Sequence, residues 1–197
     1  LSLGQSFRSN NREDMIQWDK DYFRCSAEIF SEEKISISPP HKTSLEVFYS
    51  SQPLRQKSFK KNGVKLASKD YLGNLITVLF HPEDLNMLYL SPSLRRRYMD
   101  TVLCQADRQY LDALINYKHV LKQRNALLVT IRKAQFDHQN TEHLLADLDV
   151  WDREMLKFGT VIIEKRAQFV AFLNTKLEEV YNSIADEKAV LEVSYIH

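Results

Sequence analysis

The spacing of hydrophobic and polar residues changes character twice along this chain. Between Tyr22 and Phe80, apolar and polar residues alternate in short runs rich in β-branched and aromatic side chains. The runs are YFRCSAEIF, KISISP, SLEVFYS and QKSFKKNGVKL, a pattern that predicts an antiparallel β-meander. The KNG step at Lys61 to Gly63 marks a hairpin, because Asn and Gly tolerate positive φ. LITVLF, Leu75 to Phe80, is apolar throughout and reads as a strand buried on both faces. Beyond Pro82 the period lengthens. Pro92 suits a first helical turn, so a helix is expected from about Ser93 to Gln105, with Asp107 capping a second one. Tyr110, Leu114, Tyr117, Leu121 and Leu128 keep one face of that second helix apolar to about Arg132. A polar break, FDHQNTEH, follows at Phe136 to His143, with Thr141 as the expected cap.

A third helical pattern then places Leu148, Trp151, Met155, Phe158, Ile162, Phe169, Leu173, Leu177, Val180 and Ile184 in steps of mostly three and four, a seam of coiled-coil type. Helices this long reach roughly 40–60 Å, and two joined by a short polar loop pack antiparallel. LEVSY, Leu191 to Tyr195, reads as a strand again. The expected fold class is α+β: a β-rich body over 1–82, a helical arm over 83–188 and a return strand over 189–197.

Composition limits the function. The chain has 197 residues, 44% of them hydrophobic, and a net charge of +1, so it is no polycation. The charge is unevenly spread, however. Ser93 to Lys133 holds nine Lys and Arg against three Asp, whereas Ala134 to Thr160 holds two against six acids. That polarity suits either an oriented binding surface or two solvated faces of opposite sign. The only cysteines, Cys25 and Cys104, lie in partly apolar flanks and read as buried thiols of a reducing compartment. No run is long enough to span a membrane, and the N-terminus lacks the character of a signal peptide. The chain begins with Leu and is read as an internal fragment.

Candidate chemistry is sparse. No Ser/His/Asp or Cys/His set suggests a nucleophilic enzyme, and no Cys or His spacing suggests a metal site. Glu83 and Asp84 follow the apolar run at Leu75 to Phe80, where ligands bind in open sheets; Pro, Glu and Asp equally suit the start of a helix. Arg95, Arg96 and Arg97 span most of a helical turn, so they point in different directions, and one of them is expected to pair with Asp100 or Glu83. Lys118 and Lys122, four apart, share a helix face, with Arg124 and Lys133 continuing the basic character. Arg95, Arg96, Arg97, Lys118 and Lys122 are the candidates for DNA phosphate contact, which gives salt-dependent binding indifferent to sequence, or for a dimer interface. Gln123, Arg124 and Asn125 interrupt the apolar stripe and are expected to serve structure, Trp151 to pack in the hairpin seam, and His81 to be a satisfied lone histidine.

Four blocks in order carry a resemblance. They are SLGQSFRSNNREDMIQW (Ser2 to Trp18), FHPEDL with SPSLRRRYMD, YKHVLKQRNALL, and LDVWDREMLKFGTVIIEKRAQF (Leu148 to Phe169). Together they resemble the RecF family of DNA replication and repair ATPases, of the ABC and SMC-like class. The resemblance implies a partial ABC-type ATPase lobe with an inserted antiparallel helical-hairpin arm. It implies an ATP-dependent homodimer that uses ATP and Mg²⁺, binds gapped DNA and stalled forks, works with RecR and RecO in recombinase loading and the SOS response, and is cytoplasmic at the bacterial nucleoid. By analogy with SMC-type ATPases, Arg8 would reach the nucleotide phosphates; Glu83 and Asp84, from their place after the apolar run, are the other nucleotide-proximal candidates, able to orient a magnesium-bound water or sense the γ-phosphate. The pattern G-x-x-x-x-G-K-[ST] is absent among the four glycines, so this stretch alone is expected to neither bind nor hydrolyse ATP. The alternative is a non-catalytic adaptor, a β-platform bearing a helical hairpin that binds only proteins.

Overall fold

The computed structural model describes residues 1–6, 8–9, 11–31, 41–185 and 189–196. These form two compact units. The first is Leu1–Arg95 with Cys104–Ala106; the second is Arg96–Leu103 with the chain from Asp107 onward.

The first unit is built on a four-stranded antiparallel meander, order β1-β2-β3-β4, with β1 at Tyr22–Ser31, β2 at His41–Ser50, β3 at Gln56–Lys61 and β4 at Val64–Leu66. The expected KISISP strand lies outside the described residues. The β3–β4 turn follows its local chemistry: Asn62 and Gly63 both have positive φ, 51° and 79°, which matches the right-handed twist of a two-residue hairpin. Asn62 also accepts from the Ser44 amide at 2.8 Å, tying the turn to β2. Alternation puts Leu45, Val47 and Phe59 on one sheet face, where Tyr71 of the short helix α1 (Ser68–Tyr71) completes the core. The rings of Phe59 and Tyr71 stack at 4.7 Å. Gly4, at φ +60°, lies under the Phe59 ring, where a Cβ would meet a ring carbon at 2.4 Å.

Lys57 shares that sheet face, its ammonium 4.5 Å from the Phe59 ring centroid. Burial, with the nearby Arg12 charge, pushes its pKa down to about 8. The unfolded chain, with an ordinary lysine, therefore binds more protons between about pH 8 and the usual lysine range. Stability is expected to rise with pH through that window, and Lys57→Met to abolish the rise in urea titrations at pH 8 and pH 10.

The apolar run Leu75 to Phe80 departs from expectation. It forms no strand, and Val78 is 97% exposed and Phe80 73%. A strand buried on both faces needs neighbours on either side, and the described residues supply none here. Cys25 is also exposed rather than buried, and Cys25 and Cys104 form no disulfide. One more short helix, α2 (Asn86–Tyr89), closes the unit's last stretch.

The second unit is a helical hairpin. Helix α3 (Pro92–Ala106) leads into α4 (Arg108–Phe136), which Asp107 caps by accepting from the Tyr110 amide at 3.0 Å. Helix α5 (Glu142–Ile184) has 43 residues, hence a length of about 64 Å. Its first amide is satisfied by the Asn140 side chain; Thr141, the expected cap, makes no side-chain capping bond. As residue numbers rise along α4, those of their partners on α5 fall: Asp107 pairs with Lys165, Arg124 with Asp152. The two helices are therefore antiparallel. Gly159 fits this packing, since the Tyr117 ring lies 3.5 Å from where its Cβ would be. Trp151 sits half-buried in the seam, edge-on to His119. The seam ends sooner than its sequence period, because Val180 and Ile184 are 52% and 81% exposed. Leu191 to Tyr195 carries no strand ladder; instead the Asn174 side-chain amide both donates to and accepts from the Val193 backbone.

Candidate functional site

Three sequence-selected residues of the first unit come together. Arg8, Glu83 and Asp84 line one hollow of about 340 Å³ with Leu79 and His81. Its acidic wall is set by local backbone chemistry. His81 Nδ1 accepts from the Glu83 amide, while the Asp84 carboxylate accepts from the His81 amide at 2.8 Å. These reciprocal bonds form a capping box at the start of a 3-10 turn, Pro82–Leu85. Thus Asp84 and His81 hold the turn, as the helix-start reading expects. Glu83 is exposed and has no ion pair among the described residues. Arg8, also exposed, supplies the hollow with a guanidinium. A hollow lined by one arginine and two acidic residues suits an anion that also carries a cation, such as a metal-bound phosphate.

The arginine triplet separates by role. Arg95 donates to the Met87 and Leu90 carbonyls at 3.0 and 3.4 Å, closing the C-terminal end of α2. Its part here is structural. Arg96 and Arg97 are exposed and make no ion pair among the described residues. The expected carboxylate partner is engaged elsewhere: Asp100 accepts from Arg166 at 2.6 Å and from the Tyr110 hydroxyl. Lys118 and Lys122 are exposed on one face of α4. Arg124, in contrast, crosses the hairpin to Asp152, so its structural reading holds.

Sequence reasoning missed the polar cluster at the root of the hairpin. Tyr110 is fully buried, donates to Asp100 and accepts from Arg166 Nε at 3.0 Å. Burial alone would lower the Arg166 pKa, but its bonds to Asp100, Tyr195 and Tyr110 outweigh that and hold it charged. Burial, then Asp100, pushes the Tyr110 phenol up. Beside them Lys165 Nζ lies 2.8 Å from Asp107, whose carboxyl that bond holds low against its own burial. Directly bonded groups here lie up to 66 residues apart, beyond the reach of any local pattern. Among the described residues there is no group of three or more His, Cys, Asp or Glu able to hold a metal, and no helix long and apolar enough to cross a membrane.

Comparison with known proteins adds the decisive observation. No family model matches the chain. Full-length relatives do. The chain is 32% identical over 178 residues to the DNA replication and repair protein RecF of Thermomicrobium roseum, covering 89% of the chain and 42% of that protein. It is 32% identical over 195 residues to that of Bacillus cereus, covering 99% and 48%. Two solved structures of the recombination mediator protein RecF in the RecFOR pathway match as well. The one with ATP gives a TM-score of 0.79 at 27% identity, covering 99% of the chain and 51% of its own; the one with ATPrS gives 0.77 at 26%, covering 95% and 47%. The chain belongs to the RecF family. It spans about half the length of the curated RecF relatives it matches. Both units fall within the matched region, so the α+β fold of meander and helical hairpin is a RecF fold.

Proposed function

We propose that this chain is part of a DNA replication and repair protein that binds DNA as an ATP-dependent dimer. The observation that carries the reading is the match of nearly the whole chain to RecF solved with ATP. The hollow of Arg8, Glu83 and Asp84 supports it, because those groups suit the edge of a magnesium–triphosphate site. They do not amount to a complete grip. One guanidinium cannot neutralise a triphosphate, and Asp84 is already committed to the His81 amide. ATP and Mg²⁺ are accordingly assigned to the intact protein, with Arg8 contributing one charge-assisted contact and Glu83 a carboxylate beside it. The exposed cations Arg96, Arg97, Lys118 and Lys122 are the proposed DNA-contacting or dimer-contacting set. Action at gapped DNA and stalled forks, partnership with RecR and RecO, recombinase loading, a part in the SOS response and a place at the cytoplasmic nucleoid belong to the same proposal.

The test is made on the intact protein. Arg8→Ala is expected to weaken ATP binding about 10- to 100-fold, the worth of one charged hydrogen-bonding group. It should reduce ATP-driven dimerisation on DNA in proportion, with the melting temperature unchanged. Unchanged ATP affinity would remove Arg8 from the nucleotide.

A further inference from the structure

Both walls of the hollow in the first unit trace back to one residue, Thr77. The arginine wall is reached along the segment that starts at Leu1, and the acidic wall along the run that starts at Leu75. Leu1 and Leu75 pack against the same sheet core of Leu45, Val47, Phe59 and Tyr71. Just beyond those two anchors the segments are joined: the Ser2 and Thr77 hydroxyls lie 2.6 Å apart, within hydrogen-bond distance. Thr77 is held from a second side as well, because its amide donates to the side-chain oxygen of Gln105 at 3.1 Å. Gln105 lies in the last turn of α3 and is only 8% exposed. Gly73 permits that approach: at φ +86°, an added Cβ would stand 3.0 Å from the Gln105 carbonyl oxygen.

From this junction each wall is a short, locally tied stretch of chain. Arg8 stands six residues beyond Ser2, and Glu83 six beyond Thr77. On the first stretch the Gly4 amide donates to the Leu1 carbonyl at 3.0 Å, and Ser6 Oγ accepts from the Arg8 and Ser9 amides at 3.1 and 3.3 Å. On the second, the capping box of His81 and Asp84 fixes the turn that carries Glu83. Movement at Thr77 is therefore passed to the far ends of both stretches. A buried glutamine is costly to keep unless its polar atoms are paired. Here its oxygen is paired with the backbone of the stretch that leads to Glu83. A site that takes an anion and its cation together depends on the spacing of its charged walls, which must hold to about 0.5 Å.

We infer that Thr77, backed by Ser2 and Gln105, is a positioning residue for the nucleotide: it sets the spacing between Arg8 and Glu83 without touching the ligand. The inference rests on the reading of the hollow as the edge of a magnesium–triphosphate site.

The experiment measures binding of magnesium–ATP to the intact protein. Thr77→Val keeps the shape and the backbone amide but loses the hydroxyl; Gln105→Met keeps the length but loses the acceptor. Each is expected to weaken ATP binding about fivefold, the worth of one hydrogen bond. Thr77→Ser, which retains the hydroxyl, should bind as the wild type does. The deciding readout is the cross with Arg8→Ala. Spacing counts only while both walls are present, so in that background Thr77→Val and Gln105→Met should each change ATP affinity by less than about twofold. A general loosening of the fold would instead weaken binding by the same factor in either background. Losses that add in full to that of Arg8→Ala, a Thr77→Ser protein as weak as Thr77→Val, or wild-type affinity in both Thr77→Val and Gln105→Met would overturn the inference. Wild-type affinity in Arg8→Ala alone would overturn the reading of the hollow, and the inference with it.

Discussion

Arg166→Ala is expected to cost the helical hairpin about 3 kcal/mol or more, the largest stability loss of any single side-chain truncation in the second unit. The side chain is only 12% exposed, and its partner Asp100 21%, so solvent screens neither group strongly. Removing the guanidinium leaves Asp100 facing the Tyr110 phenol alone and strips Tyr110 of its donor at 3.0 Å. It also frees Tyr195, which bonds Arg166 from the chain beyond α5. The loss is therefore expected at the junction of α3, α4 and α5, with Asp107–Lys165 intact beside it. Asp100→Asn should cost less, because the amide still accepts from Tyr110. The joint change Arg166→Met with Asp100→Leu should cost less than Arg166→Ala, since no lone buried charge remains. Urea unfolding followed by helix signal decides it; a loss under about 1 kcal/mol would show the cluster to be solvated.

That cluster also shows where sequence stops being informative. The Asn62–Gly63 turn and the Asp107 cap are legible because each is fixed within three residues of chain. The antiparallel hairpin is legible because a long apolar period leaves two helices joined by a polar break few other arrangements. Asp100 and Arg166 bond across 66 residues, and nothing near either one announces the other. Leu75 to Phe80 fails for a related reason. Its composition is that of a buried strand, but strand formation depends on neighbours, and the described residues leave Val78 bare. For the candidate site, the resemblance names Arg8, the end of the apolar run names Glu83 and Asp84, and all three share one hollow. In sequence the arginine triplet reads as three diverging side chains, with nothing to say which of them serves structure. The structure decides that point: the open carbonyls at the end of α2 claim Arg95.

This inequivalence shapes the second large effect, on DNA binding by the intact protein. Replacing Arg96, Arg97, Lys118 and Lys122 together with Ala is expected to flatten the dependence of log affinity on log salt by about 3 to 4, close to one for each phosphate left unneutralised. At about 0.1 M salt the affinity should fall on the order of 100- to 1,000-fold, similarly for unrelated duplex sequences, because backbone contacts carry no sequence information. Arg96 with Arg97, and Lys118 with Lys122, should each contribute roughly half, since exposed pairs that share no partner act additively. Arg95→Ala should behave differently. It unties the Met87 and Leu90 carbonyls, so it should lower stability by about 1 kcal/mol while leaving the salt slope in place. Titrations at several salt concentrations separate these outcomes. A fourfold variant that keeps the wild-type slope would take all four cations off the DNA surface and leave them, by the same proposal, to the dimer contact.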